Sequence, residues 1–522
     1  MKRRDFCKAL AVTFAAGALG PCAAAQAQTS QKTALVGSAV PDDYYTLWYR
    51  SDRCEADLHH DYYYSDSFFA HSAYEYDNRL ALVTLGMTAA GGSPYASDVH
   101  YWQEGENGRA AHVRDGFAKF GFAEVELFNY DHSLNEAPET SACAIARKTL
   151  LQDGKRVTVI AAFLRGCGYG AEWASNLDVG EGTAHAGFVA AARQLAEKIR
   201  QYVQAQAEKQ PLGTLKFWLG GYSRGGAVAN LLAARLPAVL PQLQRENAFV
   251  YTFATPMSLT AVDCPDLQQD YDNNHSADGT LKENWTASNI FNIISSGDVV
   301  PRVMPEEWGY HRNGNDRFLP STRNAAELRA LNTLGAALDG EPMDFDQLAV
   351  KEDTDALMAA MLRFFGSLEN YHKNYESALH CMLQCAFTRS EEEVLHDAVL
   401  DDEAVVARLR SMDGMQQFTW AKVLRSVLVA STMSRPILEK LGGTVPVIAR
   451  QIVVPLLAVG LCYGIETDAL KLIVYYLLSV YAVRGQWNDV LRVAYCHFAE
   501  NYATLLEYYD PAEHGMEPYT RT

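Results

Sequence analysis

Apolar residues run almost unbroken over residues 80–85 and again over 157–163, with a single threonine in each stretch (Thr84, Thr158). Such runs predict segments buried on all sides, either strands covered on both faces or buried helices. Between them and the next strand the spacing changes. Phe188, Ala191, Leu195, Ile199 and Val203 recur at helical intervals, which predicts an amphipathic helix. Residues 215–220 form a short, mostly apolar strand, followed by a helix over 225–236 that should stop before Pro237. Residues 249–253 and 290–294 read as further strands. Strand and helix alternate over 157–303, the pattern of an α/β fold with a mostly parallel sheet flanked by helices.

After about residue 319 the pattern changes again. Residues 325–492 read as amphipathic or apolar helices with no clear strand, which predicts a large helical insertion late in the chain, covering the sheet. Residues 264–286, rich in Asp, Asn, Gln and Gly, read as a surface loop. The expected organisation is an N-terminal segment at 1–27, a core at 35–320, a helical cap at 321–490, and a return to the core at 491–522 that carries the last helix.

Composition sets limits on this picture. The chain has 522 residues, 48% hydrophobic and 21% charged, enough to fill a sizeable core. Its formal charge is −18, from 45 Lys+Arg against 63 Asp+Glu, and no basic run occurs beyond the first eight residues. A nucleic-acid partner, which needs a basic face, is excluded on that ground. Lys2, Arg3, Arg4 and Lys8 precede an apolar run at 9–20, and Ala23-Ala24-Ala25-Gln26-Ala27 offers a small-x-small cleavage site. These features predict a secretory signal removed after Ala27. The arginine pair before Asp5-Phe6 resembles a twin-arginine export signal, and so predicts a periplasmic or secreted protein.

Lipid attachment at Cys22 is disfavoured by Pro21, where a small residue is wanted. The eight cysteines left after cleavage show no disulfide framework in their spacing. The most apolar late stretches, 453–465 and 472–483, have 13 and 12 residues. Both fall short of the roughly 20 needed to span a bilayer. No transmembrane span is expected, and contact with a lipid surface would be transient.

The candidate chemistry centres on the end of the strand at 215–220, which runs into Gly221-Tyr222-Ser223-Arg224-Gly225-Gly226 and then a helix. Strand, sharp turn and helix around Gly-x-Ser-x-Gly present the serine hydroxyl above the sheet edge, while the helix N-terminus aims backbone N–H groups at a developing oxyanion. The plainer reading is an ordinary βα turn with a capping serine.

At this point the sequence resembles the class 3 (fungal-lipase-like) α/β-hydrolases. The resemblance rests on the segment Gly221-Tyr222-Ser223-Arg224-Gly225-Gly226-Ala227-Val228-Ala229-Asn230, in which Tyr222 stands where that family usually has histidine. It extends to Ala162-Phe163-Leu164-Arg165-Gly166-Cys167, to His185-Ala186-Gly187-Phe188, to Tyr251-Thr252-Phe253-Ala254-Thr255-Pro256, and to Asp298-Val299-Val300-Pro301-Arg302-Val303. The stretch at 168–176 looks like a bacterial exported branch of the family. The resemblance covers about residues 60–320.

It implies a serine hydrolase that cleaves carboxylic esters, of lipase or esterase type and with acylglycerols among possible substrates. Ser223 would be the nucleophile and Asp298 the acid, with an oxyanion hole formed by the backbone N–H groups of Cys167 and Arg224. A cysteine at the first of these places is a weaker side-chain donor than the usual Ser or Thr. Arg165 reads as structural. For the general base, His311, His372 and His497 compete. His311 follows Asp298 too closely, and His372 lies in a helical run. His497 precedes a short last helix, which is where this fold carries its histidine, so it is the expected base.

The cap supplies apolar material for an acyl site at Phe364, Phe365, Met412, Met415, Phe418 and Trp420, although core packing explains these residues equally well. His59-His60-Asp61 lacks metal-ligand spacing, and Cys381 with Cys385 reads as one helix face. No metal and no cofactor is expected. The same triad could serve a thioesterase or an acyltransferase, and a catalytically silent binding protein on this fold is the alternative from another class.

Overall fold

The computed structural model describes residues 39–510 apart from 52–55, 93–106, 131–139, 168–171, 173–174, 177, 181–183, 261–288, 373–491 and 493–494. The expected signal at 1–27, Cys22, the loop at 264–286 and the cap beyond His372 lie outside the described residues.

Eleven strands are described: β1 (Asp43–Ser51), β2 (Ala56–Tyr64), β3 (Ala123–Phe128), β4 (Cys143–Gln152), β5 (Lys155–Leu164), β6 (Thr214–Tyr222), β7 (Ala248–Phe253), β8 (Leu259–Thr260), β9 (Ile290–Ser295), β10 (Tyr310–His311) and β11 (Asn315–Leu319). The helices used below are α1 (Asn78–Ala90), α2 (Asn107–Lys119), α3 (Ala186–Lys209), α4 (Arg224–Val239), α5 (Ala325–Asp339), α6 (Lys351–Phe365), α7 (Leu368–Tyr371) and α8 (Ala499–Tyr508).

Seven strands form one sheet in the order β11-β9-β7-β6-β5-β4-β3. From β5 to β11 the neighbours pair in parallel, and β4 and β3 extend the sheet antiparallel. This is the mostly parallel sheet expected from the alternation over 157–303, with two antiparallel strands added at one edge. Helices cover both faces. Phe217 and Leu219 of β6 face one core layer with α3 and α4, while Trp218 between them faces the other with α1. Trp218 is fully buried among the rings of Phe163, Phe69 and Phe122, and its indole N–H donates to Thr84 Oγ1 at 2.7 Å. Truncating a ring so placed costs about 3–5 kcal/mol.

The two apolar runs, alike in sequence, part ways here. Residues 157–163 lie in β5, whereas 80–85 lie in α1, a helix buried on nearly every side. Asp77, whose carboxylate accepts from Leu80 N at 3.0 Å, is the N-cap that starts α1. The expected stop of α4 before Pro237 is corrected: the helix continues to Val239 with Pro237 inside it. Only the last turn follows the proline, so one backbone bond is lost, and Leu240 N closes the end on Leu236 O at 2.7 Å.

Parallel strands bring their C-terminal ends to one edge of the sheet, where sites form in such folds. The segment after β5 carries Arg165, Gly166 and Cys167, the turn after β6 carries Ser223, and the turn after β9 carries Asp298. α8 packs on α1 and α5, and the residues just before it bring His497 over the same edge. Among the described residues no helix is long and apolar enough to cross a membrane.

Candidate active site

Ser223 sits between β6 and α4 with φ 53° and ψ −125°, a conformation unfavourable for a residue with a side chain. The surroundings hold it there. Its N–H donates to Phe253 O at 2.9 Å, and its carbonyl accepts from Ala227 N at 3.0 Å in the first turn of α4. The turn is tight enough that a methyl group at Gly225 would lie 2.2 Å from Arg165 O and 2.7 Å from Leu164 O, both backbone atoms. Glycine at 225 therefore lets the helix seat against the end of β5. A methyl group at Gly166 would lie 3.6 Å from Ser223 Cβ, so the segment bearing Cys167 passes directly beside the serine.

Three side chains named from the sequence meet at this edge. His497 Nε2 lies 2.9 Å from Ser223 Oγ, and His497 Nδ1 lies 2.8 Å from Asp298 Oδ2. A carboxylate only accepts, so Nδ1 carries the proton and Nε2 of the neutral ring is left to accept from the serine hydroxyl. Asp298 is fully buried, and its other oxygen, Oδ1, accepts from Val300 N at 2.9 Å. Of the competing histidines, His311 lies in β10, paired with β8. His372 caps α7, edge-on to Tyr371 at 6.1 Å.

Sequence reasoning passed over the residues that hold these groups. Tyr502 of α8 is buried and donates its hydroxyl to Asp298 Oδ2 at 2.8 Å while accepting from Ser295 N at 3.1 Å. Burial, reinforced by the carboxylate it faces, pushes the Tyr502 phenol well above the ordinary tyrosine range, so it stays a donor. Tyr222 donates to the carbonyl of His497 at 2.5 Å. Arg312 ties the acid turn to the end of β7: its guanidinium donates to Pro301 O and Thr255 O and pairs with Asp316.

Beneath Cys167 lies a buried charged cluster. Arg165 pairs with Glu172 at 3.1 Å, both essentially without solvent contact. The Arg224 side chain donates to Thr140 O and to Asn176 Oδ1 at 2.9 Å, and burial lowers its pKa from the usual arginine value. Asn176 reaches Cys167 Sγ at 3.7 Å, and its carbonyl meets His185 Nε2 at 3.1 Å. Buried pairs of this kind give little net stability but are costly to break on one side, which suits a cluster that fixes a loop. Burial also raises the Cys167 thiol, so its sulfur stays neutral. Arg165, read from the sequence as structural, spends its guanidinium on Glu172 and on the Gly166 carbonyl. Among the described residues no group of three or more His, Cys, Asp or Glu side chains could hold a metal.

His185, stacked on Phe188 at 3.9 Å, has its pKa lowered to about 3, chiefly by burial. The unfolded chain holds this proton below about pH 6.5 and the folded chain does not, so the His185 contribution is full near pH 7 and is lost as pH falls towards 3. Urea unfolding should show the stability advantage of wild type over His185→Gln shrinking by about 2 kcal/mol between pH 7 and pH 5. A constant difference would mean that His185 takes up its proton as readily in the fold as in the unfolded chain.

Comparison with known proteins shows what one part of the chain is similar to. Residues 161–308 match the model of the family described as Lipase (class 3). The secreted mono- and diacylglycerol lipase 1 of Fusarium solani is 28% identical over 155 residues, which cover 28% of this chain and 40% of that protein. The chain therefore spans well under two thirds of that curated relative. Among solved structures, the Rhizomucor miehei lipase propeptide complex aligns with a TM-score of 0.32 and 17% identity, covering 46% of this chain and 68% of that one. The lipase of Rhizopus microsporus var. chinensis aligns at 0.30 and 19%, covering 46% and 74%. The matched segment runs from within β5 through the Ser223 turn to just past Asp298, and over that segment the chain is similar to the class 3 lipases.

Proposed function

We propose that the protein is an exported esterase of lipase type that cleaves carboxylic esters through an acyl-enzyme, with Ser223, His497 and Asp298 as its triad. The observation that carries this reading is the continuous chain from Ser223 Oγ through both His497 nitrogens to Asp298 Oδ2, at 2.9 and 2.8 Å. Ser223 Oγ attacks the ester carbonyl as its proton passes to His497 Nε2. The resulting imidazolium keeps its Nδ1–H on Asp298, which orients the ring and offsets its charge. The N–H groups of Cys167 and Arg224 receive the oxyanion, Arg224 from the positive end of α4. Collapse of the tetrahedral intermediate expels the alcohol, which takes the proton from Nε2. Water, activated by the same nitrogen, then releases the acid and restores the serine.

The name of the Fusarium relative favours partial glycerides among lipid esters, and the apolar residues of the cap at 321–490 are the material for an acyl site. Export rests on the N-terminal signal pattern and on the secreted relative. A fluorophosphonate probe tests the central claim. The folded protein should take one equivalent of label, and mass spectrometry should find it on the peptide containing Ser223. A folded protein that stays unlabelled would sink the esterase reading and favour a silent binding protein.

A further inference from the structure

Tyr222 is the last residue of β6, at the centre of the sheet, and directly precedes the nucleophile. Its backbone is locked in register with Phe253 of β7. Its ring packs edge-on to Tyr502 at 5.9 Å and lies 5.5 Å from the His497 ring. From there its hydroxyl crosses 275 positions of sequence to donate to the backbone carbonyl of His497 at 2.5 Å.

The histidine needs such a tether. His497 lies in a turn before α8, not within a regular element, and the nearby anchors act on its neighbours. Cys496 Sγ reaches Ala349 O at 3.5 Å, and Tyr495 O accepts from Asn501 Nδ2 at 2.5 Å. A general base must stay within about 2.6–3.2 Å of the proton it removes. A displacement of about 1 Å can cost about 100-fold in rate.

We infer that Tyr222 is a positioning residue: its phenol pins the His497 backbone to the rigid strand that carries Ser223, so nucleophile and base move as one body. The inference rests on the esterase reading of Ser223 and adds to it a reason for tyrosine, where the resembled family usually has histidine. An imidazole at 222 would end well short of the His497 carbonyl. The hydroxyl acts through His497 and touches no reacting atom, so it should affect turnover and not substrate binding.

A double-mutant cycle on ester turnover tests this. Tyr222→Phe keeps the ring and removes the donor, and should lower kcat by about 10-fold or more with KM unchanged. In a His497→Ala background, where no imidazole remains to be placed, the same substitution should cost nothing further, because groups acting as a unit are not additive. Should the Phe variant fail to fold, Tyr222→His keeps a ring at the turn without the reach and is read in the same two backgrounds. Equal losses in both backgrounds, or no loss in the native one, overturn the inference while leaving labelled, active wild type intact. Wild type that takes no fluorophosphonate label overturns the esterase reading and this inference together.

Discussion

His497→Ala should lower kcat for a short-chain activated ester by about 10⁵–10⁶-fold, and Ser223→Ala should match it. The serine hydroxyl is a poor nucleophile until a base takes its proton, and His497 Nε2 at 2.9 Å is placed to do so. Either loss removes the same step, so the double variant should be no slower than the single ones. What remains in all three is the contribution of the oxyanion site and substrate binding, about 10³–10⁴-fold over water. Steady-state turnover, with enzyme concentration fixed by amino-acid analysis, measures all of this. His372→Ala is the control, since that residue caps α7 against Tyr371, and it should keep turnover within about twofold. Loss in His372→Ala with retention in His497→Ala would move the base to the other histidine.

The sequence exposed the turn at Ser223 because its constraints are local. A serine at φ 53° wedged between β6 and α4 demands small neighbours within two positions, and Gly221 and Gly225 stand there. Asp298 was legible for the same reason, at the end of an apolar strand. The tyrosines were not. Tyr222 and Tyr502 matter through bonds that cross 275 and 204 positions: the motif marks Tyr222 as a departure but not what its hydroxyl reaches, and nothing near Tyr502 in the chain marks it. Arg312 was hidden beside His311, which drew attention as a titratable group although the arginine does the tethering.

The hydrophobic pattern gives no reading of β1, where tyrosine is dense. In β1, Leu47, Tyr49 and Ser51 face inward while Tyr44 and Trp48 are exposed, so aromatic residues on both faces mask the alternation. The run at 80–85 could not be separated from a strand, because a helix buried all round has no polar face to reveal its period.

Asp298→Ala should lower kcat by about 10⁴-fold, and the local hydrogen bonds predict a smaller loss for Asp298→Asn. Removing the carboxylate leaves the imidazolium without its partner and leaves the Tyr502 hydroxyl facing a void. Asparagine keeps the shape but must choose an orientation. With its oxygen in the place of Oδ2 it still accepts from His497 Nδ1–H and from Tyr502, at the cost of setting an amide N–H against Val300 N–H. Turned the other way it satisfies Val300 but points its NH₂ at the histidine, forcing the proton onto Nε2, where it cannot accept from Ser223. Two donors against one favour the first orientation, so the correct tautomer survives and the loss is that of the charge alone. Adding Tyr502→Phe to Asp298→Asn removes one of those two donors and should carry the enzyme down towards the Asp298→Ala rate, whereas Tyr502→Phe alone should be mild. Turnover of the four variants decides the matter, and an Asp298→Asn enzyme as slow as Asp298→Ala would show that Tyr502 does not set the orientation of the acid.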